Sequence, residues 1–181
     1  MSDPRSVYDV RVGSRIAVAV VTLLWLGAGC GGDACQMVVV LGSGMDVPAD
    51  MDEIRVVVED GEGALVAQRE LPLTGGTSLP GSFGLVLGGS GDGGGAVRGT
   101  LDLVVTVPSE PFLVQADAMR GSSVVVSTPA VTSFVPDQTP RLDLFLAARC
   151  RIETCEAGQT CSAAGCADPQ IDPAELPRWD G

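Results

Sequence analysis

The sequence contains no histidine and no lysine, and only 4% of its 181 residues are aromatic. Histidine is the commonest general base and metal ligand, so its absence excludes Ser-His and Cys-His nucleophile pairs. All 11 basic residues are arginines, against 23 acidic residues, and the net charge of −12 argues against nucleic-acid binding, which needs a basic surface. We therefore predict a protein that is not an enzyme, requires no cofactor or metal and binds no nucleic acid.

A single apolar run, at residues 16–28, stands near the start of the chain. Two arginines precede the run and small residues follow it, which is the layout of an export signal. As a helix the run would extend roughly 20 Å, whereas a bilayer core is about 30 Å thick. Residues 1–29 are therefore predicted to be a cleaved signal peptide rather than a membrane span.

Ala28, Gly29 and Cys30 end this run, and here the chain resembles a bacterial lipoprotein signal. In that pattern an aliphatic residue and two small residues precede the cysteine that is lipidated, and Gly27 departs from the aliphatic position. The resemblance implies that Cys30 carries several acyl chains, which suffice for stable anchoring, and Gly31 implies transport to the outer membrane. Ordinary cleavage at nearly the same bond, which would leave a soluble periplasmic or secreted protein, is the alternative.

Cleavage before Cys30 would leave 152 residues with a net charge of −13, because three arginines and two aspartates are removed. That length suits one domain with a real hydrophobic core. Residues 30–34 form the linker between anchor and domain, and an extended chain from Cys30 to Cys35 reaches at most about 18 Å. The domain is therefore expected to lie close to the bilayer.

Residues 35–149 show alternating or short apolar runs separated by turn-rich connectors. The alternation of polar and apolar residues is clearest at 97–107 and 141–147. Eight strands are predicted, at residues 35–41, 54–59, 64–70, 83–87, 97–107, 112–118, 123–134 and 141–147. Strands of this length and spacing predict an all-β fold, an antiparallel β-sandwich of immunoglobulin-like or transthyretin-like type.

Four cysteines follow the last predicted strand within residues 150–167, at positions 150, 155, 161 and 166. So short a segment buries little core, and in an exported protein it is expected to be stapled by disulfides. The alternative is a zinc site of four thiolates, but the spacings lack the tight paired loops of zinc ribbons.

The sequence Gly158-Gln159-Thr160-Cys161, followed by Gly165 and Cys166, is similar to a truncated EGF-like module. A sandwich with such a tail resembles a group of predicted surface lipoproteins from GC-rich Gram-negative bacteria, for which no activity is established. EGF-like pairing would join Cys150 to Cys161 and Cys155 to Cys166.

A bridge between Cys35 and Cys150 is the alternative to this pairing. Eight strands in simple alternation would make the first and last antiparallel, so that their outer ends meet. Such a bridge needs Cα atoms within about 7 Å.

Other candidate sites have simpler explanations. Residues 89–94 match G-x-G-x-x-G, but a strand follows where the dinucleotide motif needs a helix, so a flexible hairpin loop is expected. The phenylalanines lie on predicted strands, where core packing accounts for them. Two acidic clusters could bind calcium or act as paired carboxylates, but neither has EF-hand spacing, and solvated acidic faces are favoured. The clusters are Asp46, Asp50, Asp52 and Glu53, and Glu59, Asp60 and Glu62.

The sequence thus predicts a lipid-anchored, non-catalytic protein of the cell envelope that acts as a structural or interaction module for an unknown protein partner. A calcium-stabilised adhesin-like domain and a carboxylate-based hydrolase are the alternatives. Residues 168–181, rich in proline and acids, are expected to be extended or disordered, with a mobile end favoured over docking of Trp179.

Overall fold

The structure is a computed structural model, which describes residues 36–73, 84–88, 104–106 and 110–180. Within this part of the chain, each predicted strand overlaps an observed one, and the all-β prediction is confirmed. Of the strand predicted at residues 97–107, only residues 104–106 are described. The strands are β1 (Gln36–Ser43), β2 (Glu53–Glu59), β3 (Leu65–Pro72), β4 (Gly84–Gly88), β5 (Val104–Thr106), β6 (Phe112–Arg120), β7 (Ser123–Thr132), β8 (Arg141–Leu146), β9 (Thr160–Ser162) and β10 (Gly165–Ala167).

One four-stranded sheet has the order β3-β2-β6-β7 and is antiparallel throughout. Arg120 pairs with Ser123, so β6 and β7 are joined by a two-residue turn. Gly121 has a φ of +57° in this turn, a conformation that glycine adopts without steric cost. Its N–H donates to both carboxylate oxygens of Asp52, at 3.0 and 3.1 Å, which ties the turn to the segment before β2.

The other four-stranded sheet has the order β5-β4-β1-β8 and is mixed. Strand β1 is antiparallel to β4 but parallel to β8, and β4 is parallel to β5. The expectation that the first and last strands run antiparallel is therefore wrong. The parallel step from β4 to β5 breaks the simple alternation on which that expectation depends.

The parallel pairing of β1 with β8 defines two ends of the domain. Val38 faces Arg141 near one end of the pair, which we call the lower end, and Ser43 faces Leu146 at the other, the upper end. Cys150 follows β8 at the upper end, where it is bonded to Cys161. The alternative bridge between Cys35 and Cys150 is therefore excluded, and Cys35 itself lies outside the described residues.

The two four-stranded sheets share one hydrophobic core, because each contributes the apolar residues of its alternating strands. Ile54, Val56 and Val58 of β2 are buried, and so are the three leucines of β8 at every second position. The rings of Phe112 and Phe134 are in contact, with centroids 4.7 Å apart and planes tilted by 40°. We call residues 36–147, which contain this core, the two-sheet domain.

The Cys-rich module, residues 148–167, follows β8 at the upper end and consists of a 3₁₀ turn (Ala148–Arg151) and the β9–β10 hairpin. Its Arg151 forms an ion pair of 2.6 Å with Asp50 in the β1–β2 loop. The module is therefore attached to the two-sheet domain beyond its covalent link.

Candidate functional site

The predicted signal peptide, the lipidation site Cys30 and Cys35 lie outside the described residues, as do the glycine motif at 89–94 and Phe83. Lipidation of Cys30 stays a prediction. The sequence-predicted positions that can be placed are the four module cysteines, the acidic clusters, three phenylalanines and Trp179.

Two disulfides staple the Cys-rich module. Cys150 is bonded to Cys161 and Cys155 to Cys166, with Cα–Cα distances of 5.6 and 5.5 Å. This is the pairing that the EGF-like resemblance implies. Because Cys161 and Cys166 face each other across the β9–β10 hairpin, the two bridges lie side by side. All four sulfurs are used in this way, so they do not form a zinc site.

Two carboxylates of the first acidic cluster, those of Asp50 and Asp52, accept hydrogen bonds that hold loops in place. Asp50 accepts from the backbone N–H of Asp46 at 3.2 Å and from Arg151 at 2.6 Å. Asp52 holds the Gly121 turn. Their oxygens therefore have structural partners in this loop.

The second acidic cluster contains a turn stabilised by Asp60. Its Oδ1 accepts from the N–H groups of Glu62 and Ala64, at 3.0 and 2.9 Å, in the loop between β2 and β3. Asp side chains commonly hold turns in this way. Among the residues that the structure describes, no group of three or more Cys, Asp or Glu side chains is placed to hold a metal ion.

Asp117, which no sequence motif singles out, is the charged residue that the described part of the chain buries most deeply, at 1% exposure. Its neighbours Ala116 and Ala118 point into the core, so Asp117 lies on the outer face of its sheet. Arg55, directly opposite on β2, donates from Nε and Nη2 at 3.0 and 2.6 Å, and Gln115 donates at 2.8 Å. The hydrogen bonds from Arg55 link β2 to β6. Together with the one from Gln115, they engage both carboxylate oxygens of Asp117.

Phe145 does not lie in the core, contrary to expectation. The leucines on either side of it point inward, so alternation turns Phe145 outward, where it is 41% exposed. Its ring lies over Gly42 and Gly44: a Cβ built on Gly42 would be 2.9 Å from Cδ2 of the ring. Phe112 and Phe134 are in the core, as expected.

The C-terminal segment 168–180, which we call the C-terminal strap, is extended and docked. The carbonyl oxygen of Pro169 accepts a hydrogen bond from the N–H of Val131 at 2.8 Å. The N–H of Ile171 in turn donates to the carbonyl oxygen of Val131 at 2.9 Å. Further along, Trp179 donates its backbone N–H to Thr139 O at 2.8 Å. The expected mobile end is therefore not what the structure shows, because both halves of the strap have backbone partners.

No helix within the described ranges is long and apolar enough to cross a membrane. No protein family model matches this chain, and neither the curated proteins nor the solved structures contain a significant match.

Proposed function

We propose that this chain is a lipid-anchored, non-catalytic protein of the outer membrane whose two-sheet domain acts as a structural or protein-interaction module. The observation that carries the proposal is how the acidic side chains are used. Asp50, Asp52, Asp60 and Asp117 each accept hydrogen bonds from backbone N–H groups or from neighbouring side chains. Carboxylates held in this way stabilise loops and strands, and a chain without histidine offers few other catalytic groups.

The fold we propose is a β-sandwich with transthyretin-like connectivity. Immunoglobulin constant domains place their first and second strands in the same sheet. Here β1 pairs with β4 and β8, whereas β2 lies in the other sheet. Of the two sandwich types expected from the sequence, this order supports the transthyretin-like one.

The proposed anchor would orient the domain on the membrane. Cys30 precedes Gln36, at the lower end of β1, by six positions, which an extended chain covers in about 21 Å at most. The lower end would then face the bilayer. The Cys-rich module, which follows β8 at the upper end, would be presented away from it.

The test of the anchor is the Cys30→Ser variant, produced in a Gram-negative host and compared with the unaltered chain after membrane fractionation. We expect the unaltered protein in the outer-membrane fraction and the variant in the soluble fraction, because two or more acyl chains are needed for stable anchoring. A Ser90→Ala variant serves as a control and should stay with the membrane. Membrane retention of Cys30→Ser would contradict the anchor.

Crosslinking in the same cells, followed by mass spectrometry, would identify the protein partner.

A further inference from the structure

The C-terminal strap lies on a seam between the two sheets. Strand β7 is an edge strand of one sheet and β8 is an edge strand of the other. The two strands are neighbours, since the hydroxyl of Thr128 donates to the carbonyl oxygen of Phe145 at 3.4 Å. Such edges present unpaired backbone groups to which another strand can add.

The strap adds to both of these edges. Gln170 forms a parallel bridge with Val131 near the lower end of β7, and Arg178 forms an antiparallel bridge with Pro140 just before β8. Arg141, the first residue of β8, donates its N–H to Pro177 O at 2.7 Å. The strap therefore supplies main-chain partners to each sheet in turn.

Between these bridges the strap carries two apolar anchors. Ile171 and Leu176 pack against the core shared by the two sheets. The 3₁₀ turn Pro173–Glu175 separates them, and Asp172 caps it by accepting from the N–H of Ala174 at 2.9 Å. Two apolar side chains five positions apart, with a proline-containing turn between them, thus fit this seam.

We infer that the seam between β7 and β8 is a strand-docking site for an extended segment of a protein partner, and that the strap occupies it in the isolated chain. The partner segment would have the pattern of the strap, with two apolar residues five positions apart and prolines around them. It would bind by displacing the strap. This inference rests on the proposed role as an interaction module and names the surface that would perform it.

Because the strap already occupies the seam, an external peptide should bind there with a reduced apparent affinity. If the strap is docked 99% of the time, the apparent affinity of a competing peptide is about 100-fold weaker than its affinity for the open seam. A variant with a weakened strap should therefore bind such a peptide more tightly.

The experiment uses a fluorescein-labelled peptide of residues 168–181 and the full-length chain in a Cys30→Ser background. In the release variant, Ile171→Asp with Leu176→Asp, both apolar anchors are charged. The matched control, Gln159→Asp with Ala164→Asp, adds the same charge at exposed positions outside the strap. Trp179 is the only tryptophan after the predicted signal peptide, so its emission reports whether the strap is docked.

We expect the release variant to bind the peptide at least about tenfold more tightly than the unaltered chain and the control, as fluorescence anisotropy would measure. Its Trp179 emission should also shift to the red. A peptide with both anchors changed to Asp should not bind. If the release variant does not fold, Leu176→Ala, which weakens one anchor, should give an intermediate affinity.

Equal peptide affinity for the release variant and the control would overturn the inference. So would a folded release variant that binds no peptide, or one that only dimerises, because the seam would then accept a second copy instead. Since the assay uses purified, unanchored protein, its failure would leave the fractionation result for Cys30 unaffected.

Discussion

Asp117 shows how a single buried charge is accommodated on a sheet surface. The carboxylate is nearly inaccessible to solvent, whereas the side chain of its partner Arg55 keeps 28% of its surface exposed. Burying a carboxylate without hydrogen-bond partners is strongly unfavourable, so the hydrogen bonds from Arg55 and Gln115 are needed to satisfy the oxygens of Asp117 in that position.

Replacing Asp117 by Ala should lower the free energy of unfolding by about 2 kcal/mol, because hydrogen bonds to a charged group are lost and Arg55 keeps no carboxylate partner. Urea unfolding would measure it. A matched control is Asp143→Ala, which breaks the ion pair between Arg141 and Asp143, whose side chains are 41% and 51% exposed. That variant should lose less than about 0.5 kcal/mol. Equal losses of stability in the two variants would show that the buried Asp117 contributes no more than an exposed ion pair.

At the scale of the element, the pairing of β1 with β8 depends on a glycine beneath an aromatic ring. Gly42 lies directly opposite Phe145 in the parallel register. Without a side chain at Gly42, the ring can lie over the backbone of β1, an arrangement known to compensate for glycine in strands. This local packing explains why Phe145 is exposed, without the need to invoke a binding site.

Gly42→Ala should destabilise the protein by about 1 kcal/mol, because the new Cβ would be only 2.9 Å from the ring and would force it to shift. Gly44→Ala is the control, since its Cβ would meet the ring at an ordinary distance of 3.5 Å. Thermal unfolding of both variants measures the difference. In a Phe145→Ala background the two alanine substitutions should have the same effect, and a persistent difference would show that the ring is not the cause.

At the scale of the whole molecule, charge is the dominant property. The chain carries a net charge of −12, which favours solubility but adds repulsion among its acidic groups. Any salt reduces this repulsion by screening, so calcium has to be distinguished from ionic strength in general.

Calcium chloride and magnesium chloride at equal ionic strength should therefore change the Tm by the same amount. A calcium site saturated at 100 times its Kd would add about 2.7 kcal/mol of stability and raise the Tm by several degrees. Scanning calorimetry at millimolar cation would detect such a difference. A rise specific to calcium would favour the adhesin-like alternative, with the Asp46–Asp52 loop as the first place to look.

Local information in the sequence was sufficient for the strands and for the cysteine-rich segment. Alternation with a period of two is a property of a few consecutive residues, and it located β2, β6, β7 and β8 within a few residues at either end. The prediction that Phe145 packs in the core was wrong, because it followed the apolar character of the residue rather than the alternation, in which the leucines on either side point inward. Disulfide bonding in the module was predicted from the cysteine spacing together with the predicted export signal, and the structure contains both disulfides.

Long-range contacts decided the remaining features. Whether β8 runs parallel or antiparallel to β1 depends on the directions of all the strands between them, and no local pattern specifies the parallel step from β4 to β5. Arg55 and Asp117 are 62 positions apart and meet only because β2 pairs with β6 in one register. The strap is the clearest case: its prolines and acids are typical of a disordered tail, and only the seam between β7 and β8 supplies the backbone partners that order it. The sequence by itself determined which segments form strands, because that preference is local. The tertiary structure decided how they pair and what the last residues bind, because those contacts exist only once the two sheets have assembled.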